Sequence, residues 1–111
     1  MTIRYKSDTF DLSTINLTTI LTCPSDATLL VKLVQASHAT ASNVTVELYL
    51  QKSGGSDVEI SHAELNKSTV NMVKDTLAME ANDILKIQAS SANEITGGVS
   101  YALIDRSQEN G

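Results

Sequence analysis

The stretch from Met79 to Asp105 constrains the fold of this chain more than any other. Two runs within it, ILKIQAS and VSYALID, place an apolar side chain at every second position, and polar and glycine residues separate them. Alternation with a period of two, bounded by Asn, Asp, Ser and Gly, is typical of a half-buried β-strand. The sequence therefore predicts a hairpin of two strands, with Gly97 to Ser100 as the turn that enters the second strand.

Strand signals of the same kind precede this hairpin. The runs at 43–51 and 58–65 flank a Gly-Gly pair, which favours a tight turn, so they predict a second hairpin. Residues 70–79 fit either a kinked strand or a short helix, and we favour the kinked strand because the other segments are all strand-like. Further strands are predicted at 2–10, 15–22 and 27–36.

Strands at short, even intervals predict an all-β fold, a single-domain antiparallel β-sandwich or jelly roll over residues 1–111. The chain is long enough to bury a core without disulfides, and its single cysteine, Cys23, is expected to be a small buried hydrophobic residue. Residues 1–12 fit either a first strand or an extended N-terminal arm, because a terminus stays ordered only when something holds it. Residues 105–111 are predicted to form a polar tail.

The charge and hydropathy of the chain disfavour two classes of partner. The net charge is -5 and the basic residues are scattered, whereas nucleic-acid binding needs clustered Lys and Arg. No apolar run is long enough to span a membrane, since Lys32 interrupts the longest one, at 29–34. The N-terminal sequence MTIRYKSDTF has no apolar core of the kind found in signal peptides, so we expect a protein made in the cytoplasm.

No catalytic, cofactor or metal site is predicted, and the chain is not expected to be an enzyme. Neither a nucleophile elbow nor a phosphate loop occurs in the sequence. His38 is expected to be a solvated loop residue and His62 a surface or interface residue in a strand. A metal pair of His62 with Glu59 or Glu64 is the weaker alternative, since a metal site needs more converging ligands.

Apolar residues at outward positions are candidates for subunit contacts. On the most apolar run we expect Leu29, Val31 and Leu33 to share one face and Leu30 and Val34 the other. For Leu30 and Val34, burial in the core and contact with another subunit are both left open. Tyr49 is expected to point outward. If the N-terminal segment is a strand, its apolar side chains should face inward. If it is an extended arm, they should contact a neighbouring subunit. The interface candidates are Ile3, Tyr5, Phe10, Leu30, Val34 and Tyr49.

Three segments carry a family resemblance: RYKSDTFDLSTINLTTILT, NVTVELYLQKSG and LAMEANDILKIQASSANEITGGVSYALIDR. Together they resemble small virion proteins of tailed bacteriophages, especially those of cyanophages and other marine phages. The best marker is the form L-x-(L/M)-E-A-(G/N)-D-x-(I/L)-K-x-Q-A-S-x-A-N, followed by a strand that ends in S-Y. Asn82 stands where glycine is usual, and Asn tolerates a positive φ better than most residues.

The resemblance implies a non-enzymatic β-sandwich component of a virion, without cofactors. From it we expect a capsid cement or decoration protein that binds the major capsid protein as a symmetric homo-oligomer, with a trimer favoured. The alternative is a ring or adaptor protein of the neck, tail or baseplate. A third reading, a carbohydrate-binding module for host adsorption, is disfavoured because the chain has no Trp and only 4% aromatic residues.

Overall fold

The computed structural model describes residues 2–106, which contain nine strands and no helix. No helix of this region is long and apolar enough to cross a membrane. In chain order the strands are β1 (Thr2–Leu12), β2 (Thr18–Thr22), β3 (Ala27–His38), β4 (Val44–Gln51), β5 (Asp57–Leu65), β6 (Thr69–Asn71), β7 (Leu77–Met79), β8 (Ile84–Ala89) and β9 (Ile95–Asp105).

The strands form two antiparallel sheets. One has the order β1-β9-β3-β6, with β7 also paired to β3, and the other has the order β2-β8-β4-β5. If β6 and β7 are taken as one interrupted strand, these are the two four-stranded sheets of a jelly roll. The predicted all-β, single-domain sandwich is therefore confirmed. Residues 70–79 form the interrupted strand, as favoured, and no helix.

The core between the sheets is aliphatic. Alternate residues of β4 and β8 point into it, including Val46, Leu48, Leu85 and Ile87, each with 0% of its surface exposed. Fully burying one such side chain stabilises the fold by roughly 1.5–3 kcal/mol. Because the other face of these strands is polar or half-buried, the alternation fixes which face of each strand points inward.

A bulge in β3 changes the face on which its later residues lie. Val31 pairs with Tyr101 and Leu33 pairs with Ser100, so Lys32 is an extra residue without a ladder partner. The inward face therefore passes from Val31 to Val34 and then to His38, all of which are buried. The expected division of the β3 side chains between the two faces is wrong for Leu33 and Val34 for this reason. Of the two alternatives for Val34, the structure gives the core.

The predicted hairpin between Met79 and Asp105 is wrong, although both of its strands exist. β8 pairs with β2 and β4, whereas β9 pairs with β1 and β3, so the two strands lie in opposite sheets. The inward residues of both strands, including Leu85, Ile87 and Val99, are buried in the core between the sheets. The connection between them crosses from one sheet to the other and includes Asn93 at a φ of 63°.

The predicted turn at Gly97 to Ser100 is also wrong, because these residues lie inside β9. A Cβ on Gly97 would lie 1.9 Å from the carbonyl oxygen of Gln35 in β3 and 2.6 Å from Cζ of Phe10 in β1. Glycine is thus needed here for the close approach of the neighbouring strands. The ring of Phe10 covers the position that a side chain would occupy.

The β4–β5 hairpin is confirmed, with Gly54 at a φ of 76° in its turn. In β5, Val58 and Ile60 are 57% and 41% exposed, and His62 is exposed too, as expected of a surface residue. Leu48 pairs with Ser61 and Tyr49 with Glu59, so Ile60 is a bulge residue. The bulge, together with the edge position of β5, takes these side chains out of the core.

The N-terminal segment is a strand that pairs along its whole length with β9, from Thr2 opposite Asp105 to Leu12 opposite Ile95. Ile3 and Tyr5, which we expected to face inward in a strand, are 51% and 84% exposed. They lie on the outer face because they pair with Ile104 and Ala102 on that face of β9, whereas the inward row of β1 consists of its even-numbered residues and becomes apolar only at Phe10. Residues 107–111 of the predicted polar tail lie outside the described residues.

Candidate interaction surfaces

Metal ligands do not cluster in the part of the chain that the structure describes. Nowhere in residues 2–106 do three or more His, Cys, Asp or Glu side chains come close enough to hold a metal ion. One cavity of about 180 Å³ lies between β5 and the β6–β7 connection, and its lining contains neither His nor Cys. The lining residues are Ile60, Met72, Val73, Lys74, Asp75, Thr76 and Leu77.

Asp83 is a structural anchor at the start of β8. Its carboxylate accepts hydrogen bonds from Lys52 Nζ, from the N–H of Glu80 at 2.9 Å and from the N–H of Ser53 at 3.1 Å. Burial of Asp83 would by itself raise its pKa, but the hydrogen bonds from Lys52, Glu80 and Ser53 outweigh burial and leave the pKa below its usual value. The carboxylate therefore ties the β7–β8 turn to the β4–β5 loop.

The turn beside Asp83 requires a residue that tolerates a positive φ. Asn82 has a φ of 68°, a left-handed conformation that few residues other than glycine adopt. Its N–H donates to the carbonyl oxygen of Cys23 at 3.0 Å. Cys23 is fully buried and burial raises the pKa of its thiol, so it has the character expected of a packing residue.

His38 is buried, so the prediction of a solvated loop residue is wrong. β3 continues to residue 38, and the bulge at Lys32 places the imidazole on the inward face. Nε2 lies 2.8 Å from the carbonyl oxygen of Ser42, and Nδ1 lies 3.2 Å from the carbonyl oxygen of Glu94. The ring joins two loops at one end of the sandwich, which is a structural role.

The most distinctive surface is an apolar strip on the outer face of the sheet that contains β1. Cross-strand pairing places Ile3 beside Ile104, and Tyr5 beside Ala102, which in turn lies beside Leu30. The next row contributes Leu33, opposite Ser100. We call these residues the outer strip: Ile3, Tyr5, Leu30, Leu33, Ala102 and Ile104.

The outer strip faces away from the core, and it gathers three of the six interface candidates, Ile3, Tyr5 and Leu30. Its Tyr5 is the most exposed large hydrophobic side chain of the described residues, at 84%. Leu33, Ala102 and Ile104 were missed. A sign of the last two was present in the run VSYALID, whose outward positions Ala102 and Ile104 are apolar although outward positions of a solvated sheet are usually polar.

The outer face of the other sheet is polar and acidic. Tyr49 lies there, half-buried, and its hydroxyl donates to Glu47 at 3.2 Å. Partial burial and the neighbouring Glu47 carboxylate raise the pKa of Tyr49. The pKa of Glu59, on the adjacent strand, is raised mainly by a hydrogen bond with Glu47 and also by partial burial. Tyr49 is therefore on the opposite side of the molecule from the outer strip.

The remaining two candidates do not belong to a surface. Val34 is in the core, with 0% exposed, and Phe10 is half-buried and packed against the core.

His62 is exposed on β5, where Nδ1 lies 3.7 Å from a Glu59 carboxylate oxygen. This pair has no third ligand among the described residues, in keeping with the absence of a metal-binding group there.

Comparisons with known proteins show the fold. No protein-family model matches the chain, and no curated protein matches it. Among solved structures, one described as the acid-stable capsid of the Helicobacter pylori bacteriophage KHP30 is similar with a TM-score of 0.58 and 13% identity, over 96% of this chain and 90% of the other. One from Bacillus endospore appendages, described as a family of disulfide-linked pili, has a TM-score of 0.52 and 14% identity, over 95% and 88%.

Proposed function

We propose that this protein is a non-enzymatic structural component of a bacteriophage virion, and specifically a cement or decoration protein on the outer surface of the capsid. The observation that carries the proposal is the outer strip, in which the exposed Ile3 and Tyr5 lie beside half-buried apolar side chains on one face of a jelly roll whose described residues hold no cluster of metal ligands. Apolar residues grouped on an outer face are costly for an isolated protein and favourable as a contact. The likeness in fold to a phage capsid structure supports the same role.

The mechanism is mechanical. Each copy binds the major capsid protein through weak contacts that bury apolar surface, at about 25 cal/mol per Å² before the entropic costs of association. A symmetric homo-oligomer, with a trimer favoured, repeats these contacts and makes the total binding strong. The N-terminal segment from Thr2 to Phe10 supplies the contact to the capsid or to a neighbouring copy, since β1 carries Ile3 and Tyr5 on its outer face.

Copy number in purified virions tests this role. Quantitative mass spectrometry against the major capsid protein should give hundreds of copies of a cement protein, and a dozen or fewer would refute it. Particles stripped of the protein should release DNA at a lower temperature than intact ones. Added wild-type protein should restore their heat resistance, and a Tyr5→Ser variant should restore it less well than the matched control Tyr49→Ser on the opposite face.

The runner-up role is a ring or adaptor protein of the neck, tail or baseplate. It has the same fold and the same need for an apolar contact, and a low copy number with localisation to the tail would support it.

A carbohydrate-binding role is less well supported, because Tyr5 is exposed without a second aromatic side chain beside it in the outer strip. Binding of the purified protein to host glycans would favour that role.

A further inference from the structure

We propose that two copies of this chain join edge to edge through β1, antiparallel and about a twofold axis at Ser7, to make one continuous sheet. The partner is a second copy of the chain. The inference goes beyond the proposed capsid role and does not depend on it, because it concerns only the contact between copies. A twofold contact does not close a trimer, so on a surface lattice it would link copies of neighbouring oligomers.

The first observation is that β1 is the one open edge in residues 2–106 that is both long and unbroken. Its eleven residues pair with β9 without any shift of register. The β2 and β5 edges each contain a bulge, and the edge of β6 and β7 consists of two pieces of three residues each. Bulges and short strands protect an edge against pairing, and β1 has neither.

The second observation concerns the backbone of β1. Apart from its ladder with β9, β1 makes one backbone hydrogen bond within the described residues. The N–H of Asn93 donates it to the carbonyl oxygen of Leu12, at 2.9 Å. The outer row of N–H and C=O groups from Thr2 onward is therefore open to a further strand. Such a row is a template for pairing with another chain.

The third observation is that the strand is complementary to itself in one register. If Ser7 lies opposite Ser7 of the second copy, all eleven residues overlap, and Lys6 lies opposite Asp8 on both sides of the axis. Directly opposed charges of opposite sign stabilise an antiparallel pair. In residues 2–106, Lys6 makes no ion pair or side-chain hydrogen bond of its own, so it is available.

The neighbouring registers are disfavoured by the same residues. A shift that keeps the same faces together moves the axis by one residue, to Lys6 or to Asp8. It then places Lys6 opposite Lys6, or Asp8 opposite Asp8, and like charges directly opposite each other are destabilising. Charges on an edge usually prevent pairing, but here they oppose both neighbouring registers and favour the one with the full overlap.

A cross-link tests the register. Ser7→Cys should form a covalent dimer under mild oxidation at micromolar concentration, because opposed Cα atoms in an antiparallel pair are about 4.5–5.5 Å apart and a disulfide can bridge them. Thr9→Cys is the matched control. It lies opposite Tyr5 of the second copy, so the two cysteines would be too far apart and should remain reduced. Cys23 is fully buried and does not compete.

Charge exchange tests the contact in solution. By sedimentation velocity over a dilution series, Lys6→Asp and Asp8→Lys should each raise the dissociation constant of the contact by about tenfold or more. The double variant should return it to within about threefold of wild type. The hydrogen bond from Tyr101 to Asp8 is lost in both the Asp8→Lys single and the double variant, so it cannot account for the recovery.

Three results would overturn the proposal: no cross-link with Ser7→Cys, equal cross-linking of Ser7→Cys and Thr9→Cys, or a double variant as dissociated as the single ones. These measurements use the purified chain alone. A failure here therefore leaves the capsid role to be judged by copy number, and a failure of that role leaves this contact to be judged by the cross-link.

Discussion

Gly97→Ala should be among the most damaging single substitutions in this protein, although it adds only one methyl group. The new Cβ would lie 1.9 Å from the Gln35 carbonyl oxygen, and real Cβ contacts essentially never fall below 3.0 Å. β9 and β3 would have to move apart by about 1.1 Å, the difference between these distances. The Phe10 ring can turn away, but the Gln35 carbonyl belongs to the backbone of a buried strand.

The cost of that movement can be worked out from its parts. Overpacking a core costs about 1–3 kcal/mol, and each ladder hydrogen bond that is broken costs about 1 kcal/mol more. We therefore expect Gly97→Ala to lower the free energy of unfolding by about 3–5 kcal/mol, a large fraction of the roughly 5–15 kcal/mol that is typical of a domain.

Gly98→Ala is the matched control, one residue further along the same strand. A Cβ there would lie 3.3 Å from the Asp8 carbonyl oxygen, a distance that a small adjustment can accommodate. Its effect should be within about 1 kcal/mol. Urea unfolding followed by far-ultraviolet circular dichroism, at one fixed protein concentration, measures both variants. If the two lose equal stability, the close approach of β3 to β9 is not what requires a glycine.

Three further predictions concern buried and half-buried side chains. Asp83→Asn should cost about 1–3 kcal/mol at neutral pH, because it removes the charge from a buried acceptor of three hydrogen bonds. The pKa of Asp83 is lowered in the folded state, so this stabilisation is present above the unfolded-state pKa and is lost as the pH falls through the folded-state pKa. The urea midpoints of wild type and variant should therefore converge in acid. A gap between the midpoints that stays constant with pH would contradict the assignment. Val34→Ala should cost about 2 kcal/mol of unfolding free energy because it truncates a core side chain, whereas Leu30→Ala should cost under about 1 kcal/mol in the purified protein. The reverse order would mean that the bulge in β3 is misplaced. His38→Ala should cost about 2–4 kcal/mol by thermal or urea unfolding, since it leaves a cavity and removes a ring that can donate from Nδ1 to the Glu94 carbonyl oxygen and accept at Nε2 from the Ser42 hydroxyl. A loss below about 0.5 kcal/mol would indicate a solvated ring.

The alternation of apolar residues was enough to predict the strands, because burial on one face of a sheet requires it. It was not enough to assign them to sheets. β8 and β9 are neighbours along the chain with a polar connection between them, as in a hairpin, and the sequence carries no sign that each is central in its own sheet. Pairing depends on long-range contacts that a local pattern does not contain.

Bulges account for most of the other differences. The extra residue at Lys32 reverses the faces of everything after it in β3, which moved Val34 and His38 into the core. The bulge at Ile60 has a similar effect at the edge formed by β5. For the surface, the sequence offers Tyr5 and Leu30 as separate interface candidates, and only the register of β1, β9 and β3 shows that they are adjacent on one outer face.

The pairing of β1 with β9 has a consequence for the order in which the chain folds. Residues 2–12 find their ladder partners at residues 95–105, so nearly the whole chain must be synthesised before β1 can be placed. Pairings between residues so far apart in sequence form slowly, because a large loop must close before any contact offsets its entropy. Until then Phe10 and Leu12, which pack against or within the core of the folded chain, are exposed on a nascent chain. A chaperone that recognises short extended apolar segments should therefore bind ribosome-bound chains that end before residue 95 and should release them once residue 105 has emerged.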